Sequence, residues 1–171
     1  MEKIFIGIDK FQKWIGGLCG LLLLFMMLLV FGIVVLRYVF NKGWVWLQDL
    51  SVYLHAIVFL LSMGYGLLQG AHVRVDVLYN KWPSKTKYLI NLLGGIFLLI
   101  PFCLFVIWIS YPYVRDSWAV LEQSQDAEGL SYIYILKTFI PLSFGFLFLG
   151  ALSFVYTNWS LWTGRKTIEN A

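Results

Sequence analysis

Charge is scarce in this chain. Asp, Glu, Lys and Arg make up 13% of its 171 residues, where a soluble domain carries about 25%. That is too little to cover a water-facing surface, and it argues against a soluble protein. Cysteine is scarce as well. Cys19 and Cys103 each lie inside an apolar run and form no CxxC pair. A thiol relay or a zinc site is therefore not supported, and both cysteines read as small buried hydrophobes. A glycine-rich phosphate loop of the Walker type is missing, as are a nucleophile elbow and a metal-binding His pair on a helix. These absences argue against ATP hydrolysis and leave no catalytic residue and no cofactor to assign. Within the apolar runs ionisable groups are nearly absent, whereas pumps and ion carriers usually keep paired carboxylates, His or Arg there. The net charge is +4, but the basic residues sit at the ends of apolar runs. That placement suits phospholipid headgroups rather than nucleic acid.

Apolar residues are abundant, at 60% of the chain. Four runs stand out, at about 15–36, 48–69, 88–114 and 138–162. About 20 apolar residues in a helix cross a hydrocarbon core about 30 Å thick. Backbone groups in lipid must be paired within the segment, and the runs lack strand-like alternation. The expected fold is all-α and integral to the membrane: one domain over residues 1–171 with four transmembrane helices. Nine Lys and Arg (Lys3, Lys10, Lys13, Arg74, Lys81, Lys85, Lys87, Arg165, Lys166) fall on one side. Four (Arg37, Lys42, Arg115, Lys137) fall on the other. The positive-inside rule then predicts both termini in the cytoplasm. Trp44, Trp46, Trp82, Trp159 and Trp162 lie near run ends, where aromatic belts form. The apolar run after the start is too long for a signal-peptide core, so the N-terminus is expected to be retained.

Ile4, Ile8, Phe11 and Ile15 recur at helical spacing among Glu2, Lys3, Asp9, Lys10 and Lys13. This predicts an amphipathic helix lying in the inner interface, the alternative being a plain continuation of the first span. Gly16 with Gly20, and Ser62 with Gly66 and Gly70, recur every four residues, a spacing that lets helices approach closely. In the outward third loop, about 115–137, Val114, Trp118 and Leu121 extend a helical stripe with Gly129 as a stop. The segment is net negative, and Glu122, Asp126 and Glu128 are candidates for docking a basic partner surface. Asp49 is placed to cap the second helix. His55 is expected to hydrogen-bond between helices, with haem ligation as the alternative. His72 lies 17 residues on, about 25 Å along a continued helix, too far to share a haem with it. The stretch "HVRVDVLY" alternates polar and apolar residues, as an extended or surface-lying segment does. His72, Arg74, Asp76 and Trp82 read as a turn-back at the inner interface, facing lipid headgroups.

These residues also carry a family resemblance. "GAHVRVDVLY" resembles the H-x-R-V-D signature after the second helix in the small membrane subunit of tripartite ATP-independent periplasmic (TRAP) transporters. "LRYVFN" (Leu36 to Asn41) closes the first helix as in that family. "WVWLQDLSVYL" (Trp44 to Leu54) is similar to its W-x-E-E-L opening of the second. "IPLSFGFLFLGAL" (Ile140 to Leu152) is similar to its P-L-x-x-x-L-L stretch in the fourth. Gln48 replaces one member of the usual acidic pair, leaving Asp49. The resemblance implies structural importance for Arg37, Asp49, Arg74 and Asp76, with no catalytic role. It implies a non-catalytic subunit of the bacterial inner membrane. Its partners would be a large multi-helix membrane subunit and a periplasmic solute-binding protein, in sodium-coupled import of organic acids such as sialic acid or C4-dicarboxylates.

Overall fold

The computed structural model describes residues 2–71 and 82–164. Among these the chain is helical without strands. The helices are α1 (Glu2–Tyr38), α2 (Val45–Leu68), α3 (Ser84–Ala119) and α4 (Ile133–Trp162). Each contains a stretch long and apolar enough to cross a membrane. The helices outrun the apolar runs at several ends. Hydropathy stops counting at the first charges, whereas a helix continues as long as each N–H finds its carbonyl four residues back.

Residues 2–14 are the first turns of α1, in one 37-residue helix with the first span. The inward stripe here is not the Ile4–Ile8–Phe11 row, since Ile4 is 65% exposed. It is Phe5, Asp9, Gln12, Gly16 and Cys19, the heptad-like spacing of a helix seam. α1 ends at the "LRYVFN" stretch. Asn41 takes a left-handed backbone (φ 51°), which Asn tolerates better than most residues. The reversal lets the Lys42 N–H return to the Leu36 carbonyl at 3.0 Å.

α3 begins directly after Pro83, whose carbonyl accepts from the Thr86 and Lys87 N–H groups. It contains one wide turn over Gly95–Leu99, where the Ile100 N–H reaches five residues back to Gly95. The turn lies just before Pro101, which has no N–H to contribute to the ladder. α3 stops at Ala119, ten residues short of Gly129.

α4 is the axis, packing against α1, α2 and α3, while α1 also packs along α2. One apolar cluster joins Ile15 and Cys19 of α1 to Val58 and Leu61 of α2, with Phe146 of α4 against it. The other joins Leu67 of α2 and Cys103 of α3 to Leu147 and Ala151 of α4. The outward faces of α1 and α3 are apolar, with Phe31 at 66% and Trp108 at 75% exposure. Such faces suit lipid tails.

Candidate functional site

Two polar constructions stand out. The first is an interior seam where α1 crosses α2 and α4. Gln12 is fully buried. Its Nε2 donates to the Phe146 carbonyl at 2.6 Å, while its Oε1 has no partner. Gly64 and Gly150 face it and leave it room. A Cβ on Gly64 would stand 2.3 Å from Gln12 Oε1, closer than any real contact. Three residues before Gln12, the Asp9 carboxylate accepts from Ser153 Oγ at 2.6 Å. Phe5 stacks on Tyr156 with centroids 4.1 Å apart. Nearby, Asn91 of α3 donates to Asn158 of α4 at 3.0 Å. A cavity of about 200 Å³ opens between these asparagines, Ser153 and the end of α2.

Of the anticipated small-residue contacts, Gly16 is used, pressed onto the Tyr65 ring, whereas Gly20 and Gly66 face open space. Gly64 and Gln12 went unremarked from sequence. A polar residue within an apolar seam repeat at Phe5, Asp9, Gln12, Gly16 and Cys19 is the signal that finds them, because polar groups tie membrane helices together.

The second construction holds the segment 120–132 at the opposite end of the bundle. Asp49 does not cap its own helix. Trp44 occupies the cap position of α2, without a side-chain hydrogen bond. The Asp49 Oδ2 instead accepts from Ser124 Oγ at 3.0 Å and from the Leu130 N–H at 2.9 Å. Tyr53 Oη donates to the Leu130 carbonyl at 3.2 Å. Gly129 sits against this junction, where a Cβ would lie 2.4 Å from Ser124 Oγ and 2.6 Å from Asp49 Oδ2. It is a close-approach glycine, not the end of a helix.

Glu122 forms the other half of the clamp. Its carboxylate accepts from Ser117 Oγ at 2.7 Å and pairs with the Lys137 ammonium, which also lies 4.0 Å over the Tyr113 ring. The hydrogen bond from Lys137, then that from Ser117, holds the Glu122 carboxyl below its ordinary range. The Arg115–Asp116 pair is exposed on both sides and contributes little.

The anticipated residues thus divide. Asp49 and Glu122 act inside the chain. Asp126 and Glu128 are exposed on the loop, Glu128 with a left-handed backbone (φ 67°). Arg37 is exposed in the last turn of α1, where a cation favours the helix dipole. Trp82, 40% exposed, precedes α3. His72, Arg74 and Asp76 lie outside the described residues. His55 is exposed on α2 and makes no hydrogen bond within the described residues, so an interhelical bond would need a helix from outside this chain. It is the only described histidine, and no group of three His, Cys, Asp or Glu suited to a metal ion occurs among the described residues.

Comparison with known proteins agrees with this architecture. The family described as tripartite ATP-independent periplasmic transporters, DctQ component, matches residues 26–161. A Haemophilus influenzae protein named as a TRAP transporter small permease protein is 32% identical over 125 residues, covering 71% of this chain and 75% of that one. The C4-dicarboxylate TRAP transporter small permease protein DctQ of Vibrio cholerae is 33% identical over 69 residues, 40% of this chain and 30% of that one. The sialic acid TRAP transporter permease protein SiaT of Haemophilus influenzae is 27% identical over 103 residues, 58% of this chain and only 15% of that longer polypeptide. With four apolar helices in the order the family motifs predict and a family match over most of its length, this multi-pass membrane chain belongs to the small permease (DctQ) component of TRAP transporters.

Proposed function

We propose that this chain is the non-catalytic scaffold of a sodium-coupled, binding-protein-dependent importer of organic acids. It sits in the bacterial inner membrane with both termini in the cytoplasm. It binds a large membrane subunit that carries the solute, and a periplasmic solute-binding protein delivers that solute. The relatives named for C4-dicarboxylate and sialic acid transport support an organic-acid solute class. One observation carries the scaffold role. The polar contacts among the spans tie helices to each other, as Gln12 does to Phe146 and Asn91 to Asn158. Ion carriage calls for a different arrangement, with several ligating oxygens converging on one point. His72, Arg74, Asp76 and Trp82 are assigned to the inner interface, where they meet lipid headgroups or the large subunit. Residues 2–14, with Lys3, Lys10 and Lys13, are assigned to the same side.

Reconstitution tests this reading. Liposomes holding this chain together with the large subunit and binding protein should take up solute under an inward sodium gradient. Liposomes holding this chain alone should take up none, and uptake by the lone chain would overturn the scaffold role. In the same assay the exposed acids Asp126 and Glu128 are proposed to meet a basic patch on the binding protein. Reversing both to Lys should slow uptake while leaving the complex assembled. Unchanged uptake would remove the loop from docking.

A further inference from the structure

His55 stands ten residues after Val45 and thirteen before Leu68 in the 24-residue α2, close to the middle of the span. It is exposed, and it lies in an exposed row with Gln48, Val52 and Phe59, at the 3- and 4-residue spacing of one helix face. Val52 is 61% and Phe59 63% exposed. Further along the face, Gly66 meets nothing within 4 Å of a built Cβ, so another backbone has room to come close. Among the described residues, no other imidazole, amide or charged side chain is exposed in the middle third of any of the four helices. The outward residues of α3 there include Phe97, Leu98, Phe102 and Phe105, and those of α1 include Leu21 and Leu24, all apolar.

Acyl chains offer an imidazole no hydrogen bond, and a polar group left unpaired in hydrocarbon is costly. The outer face of α2 therefore calls for a protein neighbour with a hydrogen-bonding group at mid-depth, whereas the faces of α1 and α3 do not. We propose that the Val52–His55–Phe59 face of α2 is the docking surface for a transmembrane helix of the large membrane subunit, which pairs a polar side chain or freed backbone group with His55. This rests on the scaffold reading above. The choice of occupant follows from SiaT, in which the region similar to this chain is a minor part of one long permease polypeptide. The expected neighbour is thus a larger permease segment rather than a second copy of this chain.

Photo-crosslinking tests the face. Benzoylphenylalanine placed at Val52 or Phe59, in cells that also make the large subunit, should crosslink to that subunit. The same group at Phe105 or Trp108 should not. In parallel, His55→Leu should lower co-purification of the large subunit about threefold, the scale of a typical hydrogen bond between membrane helices, and His55→Gln should restore most of it. Crosslinks from α3 in place of α2, crosslinks from α2 to another copy of this chain, lipid adducts alone, or unchanged recovery with His55→Leu would each overturn the proposal. Wild-type complex that still co-purifies while these results appear leaves the scaffold reading standing. A wild-type chain that fails to recover the large subunit overturns both.

Discussion

At the scale of the residue, the segment 120–132 depends on two carboxylates doing internal work. Asp49 is the better test because it satisfies a backbone N–H that no other group reaches. Asp49→Ala leaves the Leu130 N–H and the Ser124 hydroxyl without their acceptor. The expected loss is about 1–3 kcal/mol of stability, the cost of a stranded polar group, read as a lower midpoint in denaturation of the detergent-solubilised protein. Glu122 makes a pH prediction. Its folded carboxyl titrates below the ordinary range because Lys137 and Ser117 hydrogen-bond the charged form. Its contribution is therefore present above the unfolded value and lost as pH falls through the lowered folded value. Protection of residues 120–132 against proteolysis should fall on acidification past the usual carboxylate range, and Glu122→Gln should weaken that dependence, leaving the part carried by Asp49. Sequence pointed to Asp49 and Glu122 by residue type but missed what they hold. Both act on partners distant in the chain, Leu130 and Lys137, and local spacing carries no information about such pairs.

At the scale of the element, the four spans were legible because lipid forces long apolar runs and the chain obeys. The start of α1 packs by a row its apolar residues did not mark. Its isoleucine row was assigned to the membrane interface, and the face against α4 carries Phe5, Asp9 and Gln12 instead. In lipid, a lone apolar stripe no longer marks the inside, because both environments are apolar. Shape and hydrogen bonding decide instead, and Gly64 and Gly150 make room for Gln12. Deleting residues 2–11 should therefore destabilise the helix assembly, with a lower thermal midpoint in detergent and a lower yield of folded protein. An unchanged midpoint would mean that the first turns merely rest on the bundle.

At the scale of the whole molecule, α4 joins two apolar clusters, with Phe146 against the first and Leu147 and Ala151 in the second. Apolar side chains stay exposed along α1, α2 and α3. Family membership was readable from ordered motifs spread over the spans, and the match over residues 26–161 agrees with it. Which face meets the partner was not readable. It depends on how each helix is rotated about its own axis, and that emerges only once α4 has fixed its neighbours.

The 37 residues of α1 make a rod about 55 Å long at 1.5 Å per residue, against a hydrocarbon layer of about 30 Å. Leaning alone would need a slope of roughly 57°, beyond the 0–40° that single spans adopt, so part of the rod must stand clear of the oil. The end carrying Asp9 and Gln12 is well prepared to be the part that moves. Phe146 and Ser153 already occupy the Gln12 amide nitrogen and one Asp9 oxygen, which eases drawing that end inward in a thicker bilayer, while the Asp9 charge and the lysines beside it resist.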